Sequence, residues 1–210
     1  MTHYRNGIIL VTVVLSIIAF TTFTQADPLA LGKPVKPPKG GNRNYAPVAQ
    51  TGQTVSFAPD DDGALQKGIA WPIPRFADHG NGTITDNLTG LVWLKQMDCL
   101  GQETWNNALA SCNSLANGQC GLTDGSDQGD WRLPNVREFT SLVDYGKVDP
   151  ALPSGYPFQG NIPFVSAWWW TSTTNASSDF TYVAWAIELF RGSLAYGADK
   201  AASYYVICVR

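Results

Sequence analysis

Residues 131–144 read Trp131-Arg132-Leu133-Pro134-Asn135-Val136-Arg137-Glu138-Phe139-Thr140-Ser141-Leu142-Val143-Asp144. Pro134 keeps Leu133 out of the helical region, so a short extended piece ends at residue 133. Asn135 is placed to accept from the backbone N–H near Glu138, while the Glu138 side chain reaches back to the cap. That reciprocal pair is a capping box and marks a helix start. Val136, Phe139, Leu142 and Val143 then give the helix one apolar face. Trp131 and Leu133 read as core. Arg132 can fork onto a carboxylate, and with Asp130 it reads as a local polar latch. An extended piece feeding directly into a capped amphipathic helix points to helices laid on a sheet, the α+β class.

The flanks extend this pattern. Upstream, Trp105, Ala108, Leu109, Cys112 and Leu115 recur at helical spacing behind Thr104, a plausible N-cap, and Gly118 stops the helix. Residues 91–94 read as a short buried strand. Residues 74–77 and 83–86 flank Asn81-Gly82, a strong hairpin signal. Residues 48–57 suggest a further short strand, followed by a turn at 59–63. Downstream, residues 144–163 form a Pro- and Gly-rich connection long enough to be a candidate for function. Residues 168–172 and 204–209 read as strands, the latter with Tyr204, Val206 and Cys208 on one face. Residues 183–190 alternate as a half-buried strand does. The sum is two helices on a twisted, mainly antiparallel sheet.

The amino terminus has the layout of an export signal. Arg5 precedes an apolar run over 8–20, and Thr24-Gln25-Ala26 offers small residues where a signal peptidase cuts. Residues 1–26 are therefore assigned as a signal peptide. The run is short of the ~20 residues a membrane span needs, and an uncleaved anchor stands as the alternative. Residues 27–46, rich in Pro, Gly and Lys, read as a flexible linker, and residues 47–210 as the domain. Export favours disulfides. Four cysteines allow three pairings. Cys112 on the helix face with Cys208 on the closing strand, and Cys99 with Cys120 bracketing that helix, is the pairing expected; swapped pairs or free thiols are the alternatives.

Composition excludes more chemistry than it supplies. The formal charge of -3 over 210 residues gives no footprint for a phosphate backbone, so nucleic acid is not an expected partner. Eight tryptophans, eight tyrosines and nine phenylalanines imply a packed body. His79 is the one histidine outside the signal segment and sits in a hairpin turn. No nucleophile elbow, phosphate loop or zinc-helix motif is present, and no cofactor is called for. Asp60, Asp61 and Asp62 beside Gly63 are candidate calcium ligands, because hard cations take oxygen ligands from flexible loops. Asp124, Asp127 and Asp130 form a second acidic loop; neither follows the EF-hand spacing. In Trp168-Trp169-Trp170, strand alternation sends Trp169 to the opposite face, so one ring is a candidate for exposure.

Several motifs also carry a resemblance. The run Gly82-Thr83-Ile84-Thr85-Asp86-Asn87-Leu88-Thr89-Gly90-Leu91-Val92-Trp93 resembles the opening signature of the DUF1566 family, also called the Lcl C-terminal domain after a collagen-like adhesin. Trp105 with Ala108-Leu109 and Cys112 resembles its first helix. Trp131-Arg132-Leu133-Pro134-Asn135 followed by Glu138 and Ser141-Leu142-Val143-Asp144-Tyr145 resembles its most distinctive stretch. Trp170-Thr171-Ser172-Thr173, Trp185-Ala186, Gly192 and Cys208-Val209-Arg210 complete the order. The resemblance implies a C-type-lectin-like fold, related in shape to formylglycine-generating domains. It also implies a disulfide from the helix to the last strand. Members are secreted or surface bacterial proteins, and the namesake adhesin binds sulfated polysaccharide. This chain has no collagen-like repeat and an acidic charge, and it lacks the Glu-Pro-Asn motif of calcium-dependent lectins.

The leading functional expectation is a non-enzymatic, exported recognition or adhesion module. It would be secreted, periplasmic or at the cell surface, and would bind a glycan or a cell-envelope protein through loops 118–129 and 144–163. Trp169, Tyr156 and Phe158 are the candidate ligand-binding anchors. One alternative is a structural subunit of a surface assembly, including a homo-oligomer. Another is an enzyme of the formylglycine-generating kind, which would need reactive thiols or copper.

Overall fold

Asn135 caps its helix as its neighbours require. Its Oδ1 accepts from the N–H groups of Arg137 and Glu138 at 2.9 and 3.0 Å, and the Asn135 N–H donates back to Glu138 Oε2 at 2.8 Å. These contacts belong to a computed structural model that describes residues 48–161, Phe164 and residues 166–210. The expected signal peptide and linker lie outside the described residues. Among the described residues no helix is long and apolar enough to cross a membrane.

In chain order the elements are helix α1 (Asp62–Leu65), strands β1 (Phe76–Asp78), β2 (Thr83–Asp86), β3 (Val92–Leu94) and β4 (Gln102–Glu103), and helices α2 (Trp105–Ser114) and α3 (Val136–Thr140). Strands β5 (Trp168–Thr174), β6 (Val183–Glu188), β7 (Ser193–Asp199) and β8 (Tyr204–Tyr205) follow, with a 3-10 turn at Ser178–Phe180. They build an α+β fold with two sheets rather than one. A three-stranded sheet runs β1-β2-β3, and a five-stranded sheet runs β4-β8-β5-β6-β7. All strand pairs are antiparallel except β5 with β8, which makes the larger sheet mixed. The hairpin expected about Asn81-Gly82 is β1–β2, with Phe76 opposite Asp86.

The two sheets are joined by the chain after β8. Residues 206–209 are all fully buried. Leu94 N–H donates to Cys208 O at 3.0 Å, and Val92 and Arg210 exchange backbone bonds at 2.9 Å. On the other side, Arg132 and Val209 exchange bonds at 3.0 and 2.9 Å. This segment therefore has main-chain partners on both flanks, and its side chains do not alternate between core and solvent. Cys208 is bonded to Cys112 on α2, and Cys99 to Cys120, the pairing expected. All four cysteines are thereby bonded. The core between these elements holds Trp93, Trp131, Trp169, Trp170 and Phe139, all inaccessible to solvent.

Other expectations are corrected. Residues 48–57 form no strand; Ala49 makes a single parallel bridge to Ile69. Helix α2 ends at Ser114, four residues before Gly118, and Thr104 occupies its N-cap without a side-chain bond. Strand β6 is buried on both faces, with only Trp185 along it half-buried; β5 and β7 pair with its two edges and α3 packs against it. Strand β7 was not foreseen: Ala195, Gly197 and Ala198 give it little β propensity, and pairing with β6 supplies the order. Arg132 does fork onto a carboxylate, but onto Glu138, with both bonds at 2.7 Å. Asp130 instead accepts from the Asp127 N–H.

The two disulfides close sequence separations of 21 and 96 residues, for which loop entropy gives about 3 and about 4.5 kcal/mol. Cys99 is exposed, whereas Cys112 and Cys208 are fully buried. Mild reductant on native protein, followed by alkylation and mass mapping, should label Cys99 and Cys120 and leave the second pair intact until the domain unfolds. The Arg132 fork, helped by the Asn135 N–H, holds the Glu138 carboxyl below its ordinary range. A depressed folded pKa contributes stability that is present above the ordinary carboxylate pKa and is lost as pH falls through the folded value. Glu138→Ala should therefore cost about 1 kcal/mol at neutral pH. In urea melts that difference from the parent should shrink steadily below pH 4.

Candidate functional site

The three expected anchors do not form an open platform. Trp169 has 0 % exposure. It lies on central strand β5, with Tyr205 at 5.5 Å and Phe164 at 6.0 Å covering its face. Trp170, on the opposite face, packs on Tyr204 at 4.5 Å and donates its indole N–H to Glu103 O at 2.8 Å. Both faces of β5 are covered over Trp169 and Trp170, and of the three tryptophans only Trp168, at the start of the strand, stays half-buried. Phe158 is buried edge-on against Phe76 at 5.6 Å, and Tyr156 is half-buried beside it in a crevice of about 50 Å³. The cause is the fold-back of the 144–161 chain onto the end of β3. Gln159 N–H donates to Lys95 O at 2.9 Å, Met97 N–H to Gln159 O at 2.8 Å, and Asn161 N–H to Asp98 Oδ2 at 2.9 Å.

The acidic triplet is also divided. Asp61 caps α1, accepting from the N–H groups of Phe57, Ala58 and Ala64 at 2.6, 3.0 and 2.8 Å. Those amides hold its carboxyl below the usual range. Asp62 accepts instead from the Thr51 hydroxyl. Asp60 sits exposed at a left-handed φ of 62°. The expected calcium ligands thus serve separate backbone and side-chain donors. Among the described residues no group of three acidic, histidine or cysteine side chains is placed to hold a metal. In the second acidic loop, Asp124 pairs with Arg210 at 3.1 Å. His79 meets the Thr85 hydroxyl at 2.8 Å on the surface.

A cleft of about 540 Å³ opens elsewhere, beside the start of the three-stranded sheet. Its floor is built from a buried ion pair. Arg75, one residue before β1, donates from Nε to Asp86 Oδ1 at 2.7 Å and from Nη2 to Asp86 Oδ2 at 3.0 Å. Nη2 also reaches Ser141 O at 2.7 Å, which ties the sheet to the end of α3. Asp86 is further satisfied by Leu88 N–H and Thr89 Oγ1, both at 2.9 Å. The guanidinium carbon lies 4.6 Å from the Trp71 ring centroid and 5.2 Å from that of Phe76. Such stacking favours a planar, weakly hydrated cation and holds both partners. Nη1 is buried without a partner among the described residues.

Trp71 is held at its other end by its indole N–H, which donates to Gln50 O at 2.9 Å. The ring lies against Gly52, at φ +89°. A Cβ there would sit 2.6 Å from Trp71 Cη2 and closer still to Asp144 Oδ1. Only glycine fits between the ring and the carboxylate. Asp144 Oδ1 accepts from the Gly146 N–H at 2.8 Å. Burial pushes the Asp144 carboxyl up, against the opposing pull of that amide, Lys147 and Arg75. Pro153 and Ser154 form the facing wall, and Ile73, almost wholly exposed, stands at the mouth. The cleft thus combines two half-buried rings, Trp71 and Phe76, one buried carboxyl and one buried guanidinium.

Neither Trp71 nor Arg75 was singled out from the sequence. The available signal was Trp71-Pro72-Ile73-Pro74-Arg75, an aromatic and proline-rich piece with a single cation directly before the hairpin.

The fold and both disulfides are those of a small stapled α+β domain. The model of the Lcl C-terminal domain matches residues 82–210, so the chain belongs to that family, also known as DUF1566. No curated protein and no solved structure gives a match. The cleft straddles the matched region. Of its lining, Asp144 and Pro153 lie within that region, whereas Gln50, Gly52, Trp71 and Arg75 precede it.

Because the Arg75 and Asp86 side chains are 6 % and 0 % exposed, removing one partner strands a buried charge. Arg75→Ala should cost about 3–5 kcal/mol in urea unfolding. The exposed pair Lys95–Asp78, broken by Lys95→Ala, should cost less than about 1 kcal/mol.

Proposed function

We propose that this chain is a non-enzymatic, extracytoplasmic recognition module of the adhesin type, which takes a glycan in the Trp71–Asp144 cleft. The observation that carries the reading is the cleft itself: a concave site with an aromatic ring and a few fixed polar groups. Ligand pockets of about 300–1,000 Å³ lined by apolar and aromatic groups with few polar anchors are recognition sites for small units. A sugar ring has the matching chemistry, since one face is apolar and its hydroxyls seek donors and acceptors. A cell-envelope protein fits less well, because a stable protein interface buries roughly 800 Å² on each partner with a broad apolar centre.

A further observation bears on the alternative of an enzyme. All four cysteines are paired, two of them deep in the core, and this leaves no free thiol for the oxidising chemistry of the related fold. The two disulfides are also consistent with an extracytoplasmic location. Strand β7, at the edge of the five-stranded sheet, favours a second reading: a structural subunit that adds a neighbour at that edge. Native mass at micromolar concentration separates the two readings, with a monomer favouring the binder.

On printed glycan and envelope-protein arrays, the full chain should retain a subset of glycans. Trp71→Ala should weaken that retention at least tenfold while Trp185→Phe leaves it unchanged. Equal retention by Trp71→Ala would remove the cleft from the function.

A further inference from the structure

We infer that this chain carries a second sugar-binding site, separate from the Trp71 cleft, at the end of the five-stranded sheet where Trp168, Glu188 and Arg191 meet. A depression of about 370 Å³ lies there, lined by Ser166, Trp168, Glu188, Phe190 and Arg191, and it shares no lining residue with the cleft. Strand pairing builds its floor. Trp168, the first residue of β5, stands directly opposite Glu188, the last of β6, and Glu188 stands opposite Ser193, the first of β7. Residues directly opposite in antiparallel strands share a face, with Cβ atoms about 4.5–5.5 Å apart. An indole, a carboxyl and a hydroxyl therefore form one row across three strands. The turn that joins β6 to β7 adds Arg191, exposed, with its guanidinium carbon 5.1 Å from the Phe190 ring centroid.

Glu188 is the group that packing does not explain. It is only 8 % exposed, and a carboxyl drawn that far out of water is costly unless its oxygens are used. An ionised carboxyl accepts about four hydrogen bonds. The one bond shown for Glu188 among the described residues comes from the Arg191 N–H, which donates to Oε1 at 3.2 Å, the long end of the normal range. No cation pairs with it among the described residues. The other residues of β6 are all apolar, so the strand itself does not call for a carboxyl there. Trp168 beside it is half-buried and tilted against Tyr204 at 6.5 Å. The surroundings are braced from the main chain: Asp149 N–H donates to Phe190 O at 2.8 Å and Ala151 N–H to Leu189 O at 2.7 Å. The same segment carries Asp144 of the cleft, so one strap supports both sites.

The ligand class follows from what the row offers. A sugar ring presents an apolar face to an indole and hydroxyls that both donate and accept. Placed on Trp168, it finds acceptor oxygens on Glu188 and donors on Arg191 and Ser193. An ammonium ion would use the ring and the carboxyl and leave the Arg191 donors idle. A carboxylate or sulfate would use Arg191 and bring no donor to Glu188.

The test labels the full chain with fluorotryptophan and follows its fluorine NMR signals during titration, to tens of millimolar, with methyl α-mannoside, methyl β-glucoside, methyl β-galactoside and choline chloride. Trp168→Phe and Trp71→Phe identify the two signals of interest. At least one of the three sugars should shift the Trp168 signal in a saturable way. Glu188→Leu, which keeps the volume and removes both oxygens, should weaken that titration at least fivefold. Arg191→Ala should do the same; its side chain is exposed, so it guards against a folding defect in the first variant. A Trp168 signal that no sugar moves would overturn the second site, and a Trp71 signal that still moves would leave the cleft reading standing. A Trp168 titration equal in the parent and both variants would also overturn the site. A shift with choline alone would overturn the sugar class.

Discussion

Residues 206–209 are the seam on which the domain closes. They are fully buried, hydrogen-bonded to β3 on one flank and to Arg132 on the other, and cross-linked to α2 through Cys208. A buried backbone must satisfy every N–H and C=O. A segment enclosed by partners on both sides does so without reaching water. The disulfide then removes the freedom of a 96-residue loop from the unfolded chain. The helix, the three-stranded sheet and the strap that leads into the capping box all meet at this one stretch, so their relative positions follow from it.

The cleft depends on a second constraint, the burial of Arg75. A guanidinium can be taken out of water only when its donors are used and its charge is met. Asp86 at the end of β2 and Ser141 after α3 provide that, and Trp71 and Phe76 cover the flat faces. The cation thereby becomes a scaffold: it fixes Trp71, and through Trp71 and Gly52 it fixes where the ring stands relative to Asp144. The groups of the proposed site lie in irregular chain, and buried contacts rather than helices or strands hold them: Trp71 by Gln50 O and Arg75, Asp144 by the Gly146 N–H; such pre-ordering lowers the cost of binding.

Much of the aromatic richness of the chain is interior, while Phe57, Tyr145, Phe180 and Tyr182 stand exposed. Trp93, Trp131, Trp169 and Trp170 are wholly interior, and each occupies volume that a domain with such short helices would otherwise leave unfilled. One half-buried tryptophan outside that core, Trp71, carries the contact proposed for the cleft. The residues before the Lcl C-terminal match therefore contribute the ring and the cation, and the matched region contributes the Asp144 carboxyl that lines the cleft and the Asp86 carboxylate that holds Arg75 behind it. A domain cut at residue 82 would lack half of the site.

What could be read in the chain by itself was whatever acts over a few residues. Asn135 and Glu138 are three positions apart, and a capping box is complete at that distance. Asn81-Gly82 turns its own hairpin, and the helix face bearing Cys112 follows from spacing alone. The spacing made Cys112 with Cys208 and Cys99 with Cys120 the expected pairing but left swapped pairs open, and the fold decided between them. Burial on two faces was not legible, because alternation marks only a surface with one wet side; hence Trp169 read as a candidate for exposure, and β6 as half-buried. The acidic triplet looked like a cage in sequence, yet Asp61 and Asp62 turn to different donors, a matter of backbone direction rather than spacing. The cleft lay furthest out of reach. Arg75 and Ser141 are separated by 66 positions, and nothing in either neighbourhood names the other. Only the tertiary structure decided that contact, because desolvating a guanidinium requires partners from several elements at once, and packing alone brings them together.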